Sequence, residues 1–173
     1  MKWVTRARIH VNRMATAWLV RRFVDPDATF LFVEPDQVAA VQEREGAQGF
    51  DAPGATYSHR DARGRCSFEA LADEHRPHDA ALHELGRIVH GADFPEEIVL
   101  TPESAGLHSI SQGFQQVARD DHEVVEKAAF LYDSLYAALQ LRRGESQARG
   151  RSDIAGSIAP AVSPPRRPRD GST

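Results

Sequence analysis

Residues 3–33, WVTRARIHVNRMATAWLVRRFVDPDATFLFV, read as a strand, a helix and a second strand. WVTRARI (3–9) is a short strand, and ATFLFV (28–33) is an apolar one rich in the residues that favour a pleated surface. Between them Ala15, Trp18, Leu19 and Phe23 fall on one helical face, with Asn12 placed as an N-cap. Asp25-Pro26 stops that helix, because the residue before a proline disfavours the helical conformation.

Downstream the pattern turns helical. A helix is expected over 36–46, ending at Gly46, followed by short extended pieces over 49–68 punctuated by Pro53-Gly54 and Gly64. Helices are then expected over 67–75 and 79–92, the second burying Leu82, Leu85, Ile88 and Val89. Thr101-Pro102 opens a further helix with Leu107, Ile110, Phe114 and Val117 aligned. Asp120 and Glu123 form a capping-box pattern ahead of the longest helix, whose stripe is Val124, Ala128, Leu131, Leu135 and Leu139. The sum is an α+β domain: a small sheet from the N-terminal half packed with a mainly helical C-terminal half.

Composition sets the outer bounds. The chain has 173 residues, 41% hydrophobic and 27% charged, which suits one folded domain over 1–142. Residues 143–173, rich in Arg, Pro, Gly and Ser, cannot bury enough apolar surface to offset their ordering entropy and are expected to be a flexible tail. The net charge of −4 divides unevenly. Through Leu141 there are 14 basic and 22 acidic residues, whereas from Arg142 on seven arginines face three acids. An acidic body is a poor footprint for nucleic acid, so autonomous DNA binding is not expected. No apolar run approaches the ~20 residues of a membrane span. The single cysteine, Cys66, excludes a disulfide framework and points to a reducing, cytoplasmic setting.

Four groups of residues carry chemistry. YSHRDARGRCSFE (57–69) sets His59 at a strand end and Cys66 and Glu69 at a helix start, so that imidazole and carboxylate can fold back towards each other. Such a pair suits a borderline divalent ion; a turn with a surface histidine, a capping glutamate and a buried cysteine fits equally. His90 and Asp93 stand three apart at a helix end, sharing a face, as two ligands or as the solvated side of the helix. Asp121 and His122 sit in a first helical turn, where capping alone explains an acid, yet either could complete a pocket. Arg13 and Arg21 lie on one face of the first helix, a setting for an oxyanion such as sulfate, phosphate or chromate. The alternative is pairing of the helix's arginines with nearby acids. No phosphate loop, HExxH or GxSxG is present.

Taken together, several motifs resemble the ChrB chromate-resistance family, in its C-terminal domain. They are Asn12-Arg13-Met14-Ala15, Trp18 to Phe23, Asp25-Pro26, Phe30 to Val33, Phe50-Asp51, Ser58-His59 and Cys66 to Glu69. Ile88-Val89-His90, Asp93, Pro102 to Gly106, Asp120-Asp121 and Tyr132 to Tyr136 complete the set. The resemblance covers roughly 1–140 and implies a role in chromate or related oxyanion stress. The expectation is one pocket of His59, Glu69, His90 and Asp93 around a divalent metal, with Cys66, Asp121 and His122 nearby, binding or processing an oxyanion. A non-catalytic, chromate-responsive sensor or interaction module is the alternative.

Overall fold

A computed structural model describes residues 1–156, with side chains described through 144. Two compact units divide the chain, Met1–Gln140 and Leu141–Thr173. The sheet, the core and the candidate site all belong to the first. In order the elements are β1 (Lys2–Arg6), α1 (Val11–Leu19) running into a π-helical turn at Val20–Val24, β2 (Thr29–Val33), α2 (Val38–Glu45) and β3 (Gln48–Gly49). Then follow α3 (Ser67–His75), α4 (Ala80–Asp93), α5 (Ser104–Val117) and α6 (Asp121–Gly156). The expected tail begins inside the last turns of α6, and from 157 on it lies outside the described residues. Among the described residues no helix is long and apolar enough to cross a membrane.

The three strands form a parallel sheet in the order β2-β1-β3, with Trp3 opposite Phe30 and Gln48. The chain leaves β1 in one direction to reach β2 and returns across it to reach β3. Right-handed crossovers then put α1 and α2 on opposite faces. Alternation along the strands records this. Trp3 and Phe30 join Phe50 in the large core with α1, α3, α4 and α6, whereas Val4 and Leu31 pack with Val38 and Val41 of α2. On the large side Trp18 is the hub. Its ring stacks on Phe68 at 6.4 Å and packs against Phe23, Tyr132 and Tyr136.

Several expected helix boundaries shift for identifiable reasons. α1 begins at Val11 after His10, so Asn12 is no cap; it lies in the first turn, fully buried, and joins a polar network. β1 ends at Arg6, short of residue 9, because Arg8 turns into the left-handed region (φ 56°) and its N–H and that of Ile9 donate to the Asp121 carboxylate at 2.7 and 3.0 Å. α5 starts at Ser104, two residues past Pro102. Its inner face is Ser104, Leu107 and Ser111, while Ile110 and Val117 are exposed. The close approach of α4 at Gly91 sets that rotation: a Cβ there would meet Ser104 Oγ at 2.5 Å and the Glu97 carbonyl at 2.9 Å. Only half of the expected box at α6 forms. Glu123 N–H donates to Asp120, but the Glu123 carboxylate accepts from Arg119.

Candidate functional site

In an open parallel sheet, ligands favour the crevice at the carboxyl ends of the strands, where the strand order reverses. Here that crevice opens between β1 and β3. Arg6 ends β1; just past β3, Phe50 N–H still donates to Val4 and the next residue, Asp51, turns left-handed (φ 53°). Aspartate is one of the few side chains that visits this conformation without large cost. The turn drives its carboxylate into the molecule, 1% exposed.

Asp51 collects donors from three directions. Oδ1 accepts from Asn12 Nδ2 at 2.8 Å and bonds His59 Nδ1 at 2.6 Å. Oδ2 accepts from Arg13 Nη1 at 2.8 Å and Arg6 Nη2 at 3.2 Å, while Arg6 Nε holds the Asp51 carbonyl at 2.8 Å. Burial by itself would raise this carboxyl's pKa, but the His59 hydrogen bond and the Arg13 charge outweigh it and hold it below the usual range. The same bond to Asp51 raises the pKa of His59. Arg13, buried on α1, gives its remaining Nη2 to the Arg8 carbonyl at 3.0 Å, and its Nε is buried without a partner.

Asp93 closes α4 beside this network. Its Oδ2 is buried without a hydrogen-bond partner, 3.6 Å from His59 Nδ1. Burial, and then the negative charge of Asp51, push its pKa up to about 6. Donor atoms of Asp51, His59 and Asp93 all lie within 4.8 Å of one another.

A second donor group stands at the start of α3. Cys66 is its N-cap: the sulfur accepts from the Glu69 N–H and the Glu69 carboxylate accepts from the Cys66 N–H at 2.9 Å, a reciprocal box. The same Glu69 oxygen bonds His90 Nδ1 at 2.7 Å. On its other side His90 Nε2 faces Glu97 at 3.2 Å. Gly86, one turn before His90, leaves room for Glu69; a Cβ there would sit 3.1 Å from Glu69 Cγ. Cys66, Glu69 and His90 likewise offer donor atoms within 4.8 Å of one another. Burial pushes the thiol well above its ordinary pKa, so it stays neutral.

The four expected ligands therefore share a neighbourhood but not a shell. His59 and Asp93 group with Asp51; Glu69 and His90 group with Cys66. The Phe94 ring touches both imidazoles, at 5.0 Å from His59 and 4.6 Å from His90, with the Arg60 guanidinium 4.0 Å above it. Asp121 and His122 lie elsewhere: Asp121 holds the loop after β1, and His122 packs edge-on against Phe32 in a separate groove of about 520 Å³. Arg13 and Arg21 are not brought together either. One turns inward onto Asp51, and the other lies over the Phe30 ring at 5.1 Å. Sequence reasoning missed Asp51, Arg6 and Asn12 as site residues. The available signal was that Asn12 and Asp51 both stand in motifs that carry the family resemblance; Arg6 had none.

A family model described as "ChrB, C-terminal domain" matches residues 3–139, a span that holds both donor groups. Protein ChrB of Cupriavidus metallidurans is 36% identical over 136 residues, which is 78% of this chain and 40% of that protein. The chain thus spans less than half the length of that relative. No solved structure matches it.

Proposed function

This chain belongs to the family of ChrB C-terminal domains, and we propose that it serves chromate resistance by holding a divalent metal ion among Asp51, His59 and Asp93, beside which an oxyanion is drawn in. The observation that carries this reading is the buried, unpartnered Asp93 Oδ2 facing His59, with the three donor groups within 4.8 Å. An imidazole and two carboxylates suit a borderline ion such as zinc, iron or nickel, or manganese, and three protein ligands leave coordination positions open. Arg6, Arg13 and Asn12 hold Asp51 from behind and fix its orientation. Their charges matter as well. Two arginines already balance the two carboxylates, so a bound dication leaves the site net positive, the sign that draws in an oxyanion.

A metal-free sensor is the second reading. It is favoured by one feature: all four acceptor positions of Asp51 are already in use. Elemental analysis and thermal melting separate the two. The metal reading expects the chelator-treated chain to gain melting temperature with zinc, manganese, iron or nickel, since a ligand that binds only the native state must stabilise it. It also expects that gain to vanish in Asp93→Asn. A preparation that holds no metal and gains nothing from any of the four ions refutes it and leaves the sensor.

A further inference from the structure

Beside the Asp51 network lies a cavity of about 310 Å³ lined by Arg6, Ala52, Pro53, Ser58, His59 and Arg60. Its size falls at the small end of ligand sites, and its lining holds cationic and hydroxyl groups with no carboxylate. Among the described residues, four of its polar side chains each have a nitrogen or oxygen without a partner. Arg6 commits Nε and Nη2 to Asp51, which leaves Nη1; His59 commits Nδ1 to Asp51, which leaves Nε2. Among the described residues Ser58 Oγ has no hydrogen-bond partner within the protein. Arg60 is steadied over the Phe94 ring, its Nη atoms on Glu96 and Glu97, and its Nε is unused.

Unused donors gathered around one concave space need acceptors, and a small anion supplies several at once. We infer that this cavity is the oxyanion site, taking a small tetrahedral dianion of the sulfate and chromate kind on Arg6, Ser58, His59 and Arg60. It replaces the Arg13–Arg21 helix face as the anion site, because Arg13 is buried against Asp51 and the Arg8 carbonyl. The space is small, and its lining includes no Phe, Tyr or Trp on which a large organic ligand would stack, which favours a compact ion. The assignment rests on the reading that the domain meets an oxyanion, but not on the metal. Two of the anion's contacts, Arg6 and His59, are also the clamps on Asp51, so an anion bound there bears directly on the network behind it.

Calorimetric titration of the full chain, treated with chelator, tests it with sulfate as the redox-inert probe at constant ionic strength. Saturable binding is expected, weakened at least about tenfold in Arg60→Ala, as for a lost charge-assisted hydrogen bond, and abolished in Ser58→Phe, which replaces a hydroxyl of the lining with a bulky ring. Arg63→Ala, an exposed arginine outside the lining, is expected to stay within about twofold of the parent chain. Absence of saturable binding, or an equal loss in Arg63→Ala and Arg60→Ala, overturns the assignment. Metal-induced melting shifts are measured in parallel on the same proteins. Sulfate binding that needs metal and disappears in Asp93→Asn, with Arg60→Ala silent, puts the oxyanion on the ion, so that this inference fails and the metal reading stands.

Discussion

Asp93→Asn is expected to make the metal-free domain more stable at neutral pH. In the unfolded chain this carboxyl titrates near 3.8, whereas in the fold it is pushed up to about 6 by burial and by the Asp51 charge. A raised native pKa means that between those two values the native state binds more protons than the unfolded state. The Asp93 contribution to stability therefore falls as pH rises from about 4 through 6 and is flat above. The full penalty for the ionised, buried form is about 3 kcal/mol. Part of it is shared with Asp51, and the amide gives up attraction to His59 and Arg13, so a gain of at least about 1 kcal/mol is expected at pH 7.5. With a denaturant slope of about 2 kcal/mol per molar urea, that moves the midpoint by about 0.5 M. Urea unfolding of both proteins in chelator from pH 4 to 8 gives the difference curve, in which groups common to both cancel. Asn should gain on Asp between pH 4 and 6 and hold its lead beyond. A flat difference curve, or a variant less stable at pH 7.5, refutes the reasoning.

Removing the partner of a buried charge should cost more than removing the pair. Asp51→Asn is expected to lose about 3–5 kcal/mol by stranding Arg13, and a cycle with Arg13→Met should show coupling above about 1 kcal/mol by urea unfolding; additive losses count against the buried pair. Below neutral pH the Asp51 contribution, present above its unfolded pKa, is lost as pH falls through its lowered native value. Cys66 should resist iodoacetamide at pH 7.5 in the native state and react on unfolding, because the thiol is buried and its pKa raised; fast native labelling contradicts that. Gly91→Ala should lower stability by about 1–3 kcal/mol despite the roughly 1 kcal/mol of helix propensity it gains, since its Cβ meets Ser104 and the Glu97 carbonyl; a melting temperature at or above the parent's counts against the close α4–α5 approach.

The elements that were legible in the sequence are those whose signal is local. Ser67–His75 carries its own cap and glutamate at the third helical position, and Thr29–Val33 its own apolar run, so both lie where the pattern puts them. Gly46 ends α2 in the left-handed conformation, as a glycine after a helix should. What was not legible depends on partners far along the chain. β3 is two residues long and has no period to detect; it exists because Trp3 and Val4 pair with it. Asn12 looks like a cap until Ser67 and Phe68, which donate to its Oδ1, and Asp51, to which it donates, are placed around it. Asp51 escaped for the same reason: its importance comes from Arg6, Arg13 and His59, none of which is local to it.

The division of the donors into two groups follows from where α4 ends. His90 sits in its last turn, Asp93 is its final residue, and Phe94 breaks the helix with an extended backbone (ψ 108°) that lays its ring between the two imidazoles. A single turn of chain thus supplies the imidazole of one group, the free carboxylate of the other and the wall between them. Arg60 spans that wall from the next residue after His59, lying over the ring and reaching Glu97 and, at 3.4 Å, His90 Nε2. Arg60 and His59 both rest on the Phe94 ring, which His90 also touches, so a ligand that draws on either bears on a ring shared by the two groups. Phe94→Ala separates the two ideas. If the ring couples the groups, metal-induced stabilisation at Asp51, His59 and Asp93 becomes insensitive to His90→Ala once the ring is gone, whereas in the parent chain His90→Ala reduces it by at least about tenfold in apparent affinity, or about 1.4 kcal/mol. Equal sensitivity to His90→Ala with and without the ring means that the groups communicate by another route or not at all.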